Sequence, residues 1–378
     1  GEKASDADML DVNFTGVLGK IAVDLSQSGD QVTTFNGLAD STIQTNFEGV
    51  DLSGYTNYGS QVIGSNVSTV VDTVTGTPVV DSISLQKGAD VYTVTAGNDV
   101  VDMGAGNDTV NITTTLLLAN DATSATIDFG AGTDNLVVGA GLTSLVDADL
   151  RGFSNGETFT FGTGTNSATF GTNAASSFSS IVGVGGAETI TLAASQPSIS
   201  LGAGIDQIST TQALMEAHSG TTHTIDFGDG VDILVFEAAT IDVVDADFRG
   251  ITNLETLTLG TGTNNVVLGS NAAAAGIVTI NGNTGADTVT AASAVTYTFT
   301  AGNDDIDLGT GADTINITEA LLINHSATTA DIDGGASSDT LALEASTTSI
   351  VDADFARMSN IEVLQFSTGT NAVTLGSN

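Results

Sequence analysis

The chain has no cysteine, no tryptophan and only two prolines, and its six lysines and arginines face 45 aspartates and glutamates over 378 residues. Without cysteine it has neither a disulfide framework nor thiolate ligands for a soft metal. Two prolines and no tryptophan point away from a proline-rich coil or a collagen-like chain. The scarcity of basic residues leaves a formal net charge of −39. Nucleic acid and anionic membrane surfaces would be repelled by such a chain, so neither nucleic-acid binding nor membrane insertion is expected. No apolar run is long enough to span a bilayer. The three histidines, His218, His223 and His325, show no zinc spacing such as H-E-x-x-H and are expected on the surface. No G-x-S-x-G elbow, phosphate loop with its lysine, or dinucleotide fingerprint occurs, so no enzyme is expected.

What the chain does have is 45 glycines and 40% hydrophobic residues, enough apolar content to bury a core in spite of the charge. The most informative stretch runs from Ala96 to Val110. It carries Gly97-Asn98-Asp99 and Gly106-Asn107-Asp108, and Gly88-Ala89-Asp90 continues the same nine-residue step backwards. Glycine permits a tight turn with positive φ, while the Val, Thr and Tyr residues between turns favour short strands. Stacked turn-and-strand units bring carboxylates and turn carbonyls of neighbouring coils together. Hard oxygen donors in such rows suit Ca2+, which accepts about six to eight oxygens in loose geometry.

Residues 84–110 resemble the calcium-binding nonapeptides of repeats-in-toxin (RTX) proteins, written G-G-x-G-x-D-x-U-x. The resemblance implies an all-β fold, a parallel β-roll or β-solenoid whose turns bind calcium in rows. In such a roll one coil takes two nonapeptides, so turns on one side recur every 18 residues, the interval from Asp90 to Asp108 and from Glu188 to Asp206.

A longer repeat overlies the short one. Val146-Asp147-Ala148-Asp149-Leu150-Arg151 recurs at Val244–Arg249 and Val351–Arg357, followed each time by Asn-x-Glu ending at Glu157, Glu255 and Glu362. The expected organisation is a degenerate N-terminal repeat over 1–84 and repeats over 85–181, 182–279 and 280–378, forming a continuous solenoid that is either a window cut from a longer protein or its processed or ordered part. Inserts at 113–120, 211–219 and 318–326 each begin with a threonine able to cap a helix and are read as short helical turns laid over the roll. The second repeat has Ser195-Gln196-Pro197 where its middle acidic turn should be.

The candidate metal ligands are Asp90, Asp99, Asp102, Asp108, Asp128, Asp134, Asp206, Asp226, Asp232, Asp287, Asp304, Asp307 and Asp313. Several share D-x-G-x-G-x-D spacing, as in Asp102 to Asp108, Asp128 to Asp134, Asp226 to Asp232 and Asp307 to Asp313. The copy from Asp333 to Asp339 has Ser337 for its second glycine and is left out of the set. Asp287 to Asp304 is one residue short of the common interval, a slip that Asp305 or a local deletion would absorb. Asp also favours turns by bonding its own backbone, but repetition at a constrained period favours calcium and folding coupled to it. The Asp-x-Asp segments and the arginines Arg151, Arg249 and Arg357 are read as structural, an arginine clamp onto Glu157, Glu255 or Glu362.

Long acidic, cysteine-free chains with such turns resemble bacterial surface-layer proteins and large adhesins. The expected function is that of an extracellular, cell-surface structural protein. It would bind calcium and assemble with copies of itself, head to tail or as a lattice, into a layer, sheath or filament. The alternatives are the extender region of a large RTX adhesin and the secretion module of an RTX exoenzyme.

Overall fold

A computed structural model describes residues 8–13, 19–120, 125–195, 198–237 and 241–376. The chain divides into two compact units, Gly1–Gly186 with Gln196–Ile199, and Ala187–Ser195 with Ser200–Asn378. Both are all-β and built from short parallel strands.

In the first unit one sheet carries Met9–Asp11, Gly49–Asp51, Thr73–Thr75, Val91–Thr93, Thr109–Ile112, Asn135–Val138, Thr158–Thr160 and Ser180–Val182, all parallel. A second parallel sheet carries Ile21–Asp24, Ser60–Ile63, Ser82–Ser84, Val100–Asp102, Thr126–Asp128 and Phe153–Ser154. Val32–Phe35 and Leu38–Ala39 join it as an antiparallel hairpin beside Ile21–Asp24.

The second unit repeats the plan. One parallel sheet runs from Glu188–Leu192 through Gln207–Thr210, Ile233–Phe236, Thr256–Thr258, Thr279–Asn281, Thr296–Thr298, Thr314–Ile317 and Thr340–Leu343 to Val363–Gln365. The other runs from Asp242–Val243 through Asn265–Leu268, Thr288–Ala291, Asp305–Asp307 and Ile332–Asp333 to Met358–Ser359.

The strands are two to five residues of alternating character, so inward- and outward-pointing residues follow one another along each. Val74, Tyr92, Val110, Leu136, Phe159 and Ile181 form one inward row in the first unit, and Leu234, Leu257, Ile280, Tyr297, Ile315 and Leu341 form its counterpart in the second. Register sets the coil lengths. Equivalent residues lie 18 apart where a coil is turn, strand, turn and strand, and 26 apart where a helix is inserted. The helices Thr114–Leu117, Gln212–Ser219 and Glu319–Ser326 occupy the three inserts, and the Thr113 and Thr318 side chains accept the N–H groups of Leu116 and Leu321. The slip at Asp287 is resolved by a coil one residue shorter, with Thr279 opposite Thr296 and Thr288 opposite Asp305.

Turns stack on turns. Ala105 and Ala131 pair across adjacent coils, as do Ala203 and Asp229, and Thr310 and Ala336. Glycine is required where coils stack closely: at Gly130 φ is +89 and an added Cβ would meet the Gly104 carbonyl oxygen at 1.9 Å. Ser337 holds φ at 129° in the same kind of turn, so the copy without its second glycine still closes.

Two expectations are corrected here. His218 and His325 are buried rather than on the surface, His325 packing edge-on to Phe299 at 5.9 Å. Both sit at the ends of insert helices, at the repeat position held by Asn120, whose amide donates to the Asp149 and Arg151 carbonyls. His223 is exposed. The arginine clamp onto Glu157, Glu255 and Glu362 is also replaced. Those glutamates accept the backbone N–H of Asp134, Asp232 and Asp339, while Arg357 pairs with Asp331 at 3.0 Å and Arg249 reaches the Ser219 carbonyl.

Candidate metal centre

The glycine-acid turns separate the aspartates into two populations. The aspartate that ends each acidic turn is buried, whether or not the full D-x-G-x-G-x-D motif precedes it: Asp90, Asp99, Asp108, Asp134, Asp206, Asp232, Asp287, Asp304, Asp313 and Asp339 are all at most 1% exposed. The first aspartate of the motif lies on the outer side. Asp102 and Asp307 are exposed and Asp128 and Asp226 half-buried, with Asp102 in register with Asp128 and Asp307 with Asp333. Three of these outer residues close their own turns. Asp128 Oδ1 accepts from Gly130 N–H and Asn155 Nδ2, Asp226 Oδ1 from Gly228 N–H and Asn253 Nδ2, and Asp307 Oδ1 from Gly309 N–H.

The buried aspartates form ladders. Asp72 N–H donates to Asp90 Oδ1 at 2.8 Å, Asp90 N–H to Asp108 Oδ1 at 2.7 Å, Asp108 N–H to Asp134 Oδ1 at 2.7 Å, and Asp134 N–H to Glu157 Oε2 at 2.7 Å. In the second unit Glu188 N–H meets Asp206, Asp206 N–H meets Asp232, and Asp232 N–H meets Glu255. A further run goes from Val295 N–H to Asp313, Asp313 N–H to Asp339, and Asp339 N–H to Glu362. Shorter ladders link Ser60, Asp81 and Asp99, and Asn264, Asp287 and Asp304. Each carboxylate therefore satisfies a turn N–H of the preceding coil, a group that the solenoid would otherwise bury without a partner.

One oxygen of most ladder carboxylates is used in this way and the other is not. Asp90, Asp108, Asp134, Asp206, Asp232, Asp287, Asp313 and Asp339 each have a buried Oδ2 with no hydrogen-bond partner, and Asp72 has an equivalent Oδ1. Burial, reinforced by the Asp72 and Asp108 charges, pushes Asp90 up to about 7. Burial also raises Asp72, Asp99, Asp108 and Asp232 to about 6 and Asp304 to about 7. Asp134, Asp206, Asp287 and Asp313 are raised for the same reason. An ionised carboxylate with a buried bare oxygen is costly unless a cation or a proton meets it.

The structure thus lines up Asp90, Asp108 and Asp134, then Asp206 and Asp232, then Asp313 with Asp339, and it places Asp99, Asp287 and Asp304 in the separate ladders. Asp102, Asp128, Asp226 and Asp307 do not join them. Sequence reasoning missed Asp72 and Asp81, which lack the glycine two residues earlier and show themselves only by the 18-residue interval to Asp90 and Asp99. Among the described residues no three His, Cys, Asp or Glu side chains gather as a ligand set.

The class defined by this fold is a parallel β-solenoid of stacked turn-and-strand coils. Comparison of the chain with protein-family models, curated proteins and solved structures finds no match.

Proposed function

We propose that this chain is an extracellular, calcium-binding structural repeat protein that assembles with copies of itself into a surface layer, sheath or filament. The observation that carries the reading is the run of buried carboxylate oxygens left without partners along the ladders. Their chemistry fits a hard divalent cation, since most are carboxylate oxygens beside a glycine turn whose carbonyls stack on the next coil. Calcium held there would be completed by turn carbonyls and water, because the side chains alone do not supply a cage. It would neutralise charge in a chain whose net charge is −39. The form of the coil supports the self-assembly half of the reading. Each coil stacks its inward row on those of neighbouring coils, and another copy offers coils of the same kind.

Circular dichroism and electron microscopy, each with calcium and with excess chelator, test both halves of the reading. Loss of the β spectrum in chelator and calcium-dependent filaments or lattices are expected. An unchanged spectrum in chelator would sink the calcium half. Isolated rods with calcium present would replace self-assembly by the monomeric extender of an adhesin.

A further inference from the structure

The ladder aspartates are not all alike, and at two of them the difference lies in a tyrosine. Tyr92 and Tyr297 are fully buried in the inward rows. The Tyr92 hydroxyl donates to Asp99 Oδ2 at 2.8 Å, and the Tyr297 hydroxyl donates to Asp304 Oδ2 at 2.8 Å. Asp99 and Asp304 also accept a ladder N–H on Oδ1, from Asp81 and Asp287. Both oxygens of these two carboxylates are therefore occupied, unlike those of Asp90, Asp108 or Asp232.

The arrangement is built into the sequence around it. A Cβ on Gly76 would meet the Tyr92 hydroxyl oxygen, and one on Gly282 would meet that of Tyr297, so glycine keeps the space each phenol needs. Tyrosine and aspartate lie seven residues apart in both repeats. In the second repeat Ile190 stands at the tyrosine position and Pro197 at the aspartate position; Pro197 lies outside the described residues. Tyrosine and aspartate are present together or replaced together.

We propose that the acidic turns are of two kinds: calcium enters at the ladder aspartates with a bare oxygen, whereas the Asp99 and Asp304 turns are closed by Tyr92 and Tyr297 and take no ion. A phenol proton does at those two turns what the cation does elsewhere. It lets the aspartate be buried by giving its second oxygen a donor, and it works whether or not calcium is present. The inference rests on the calcium reading above and narrows it, because turns with the same G-x-D motif divide according to the residue in the adjoining strand.

Counting calcium ions by native mass spectrometry on the full chain, with calorimetric titration of calcium for affinity, tests the division. Asp99→Asn and Asp304→Asn keep an acceptor and the side-chain shape, and are expected to bind the wild-type number of ions with unchanged affinity. Asp108→Asn and Asp232→Asn are expected to lose an ion or weaken calcium binding by at least about tenfold, since removing a direct ligand costs no less than removing a group that supports one. Tyr92→Phe bares Asp99 Oδ2 and is expected to gain an ion, a readout that stands even where an aspartate variant does not fold. Loss of an ion in Asp99→Asn, or an unchanged count in Tyr92→Phe, overturns the division while leaving calcium binding intact. A wild-type chain that binds no calcium overturns the reading of the site itself.

Discussion

At the scale of the residue, this chain uses aspartate for tasks that its motif does not distinguish. The first aspartate of D-x-G-x-G-x-D closes its own turn, and the last bonds the turn of the preceding coil. The pH dependence follows from the second group. Their folded pKa values are raised, to about 7 for Asp90 and Asp304 and about 6 for Asp99, Asp108 and Asp232, against roughly 3.9 in an unfolded chain. The folded state then binds more protons than the unfolded one, so in chelator stability rises as pH falls from about 7 towards 4. His218 and His325, lowered by burial, oppose this, since their contribution is lost as pH falls through 6.5. They are outnumbered. In chelator the β spectrum is expected to be recovered at pH 5 to a greater extent than at pH 8, and saturating calcium to flatten the difference. No recovery of the β spectrum at pH 5 in chelator would show that protons do not relieve the ladders.

At the scale of the element, the insert helices were legible because their threonine caps and apolar residues are local signals. The helices Thr172–Ser177 and Ser270–Ala275 were not legible. Their start looks like the end of a strand, and the group that caps them lies in a distant turn. Asp147 Oδ1 accepts the N–H groups of Gly171 and Ala174, and Asp245 Oδ1 those of Gly269, Asn271 and Ala272. The repeated Asp-x-Asp segment is thus a structural corner. Its first aspartate caps a helix 24 residues on, and its second bonds the N–H three residues before it at Val146 and Val244. Burial alone would raise Asp245, but those backbone donors outweigh it and hold it below the usual carboxylate range. Asp245→Ala is expected to cost about 1–2 kcal/mol, the range for losing a helix N-cap, read as a lowered denaturation midpoint. An effect within error would show that the helix is held by packing alone.

At the scale of the whole molecule, coils of different length share one register, because insert helices are looped out of a ladder whose strands stay paired. Contacts between nearest neighbours carry each unit, so damage should spread locally. Leu257 is fully buried between Leu234 and Ile280, and Leu257→Ala is expected to cost about 2–5 kcal/mol. Hydrogen exchange should then accelerate first in 233–236 and 279–281, its partners in the sheet. Uniform acceleration across all strands of that unit would show instead that it opens as one piece.

The sequence by itself determined the turn-and-strand period, the sense of the repeats, the insert helices and the acidic character of the turns, because glycine, β-branched residues and short-range capping act over a few residues. Only the tertiary structure decided which aspartates are buried, which oxygens keep no partner, that His218 and His325 lie inside, and that two tyrosines donate to turn aspartates. Those outcomes depend on what the neighbouring coil or the facing strand supplies, and residues 18 or 26 positions apart meet only when the coils stack.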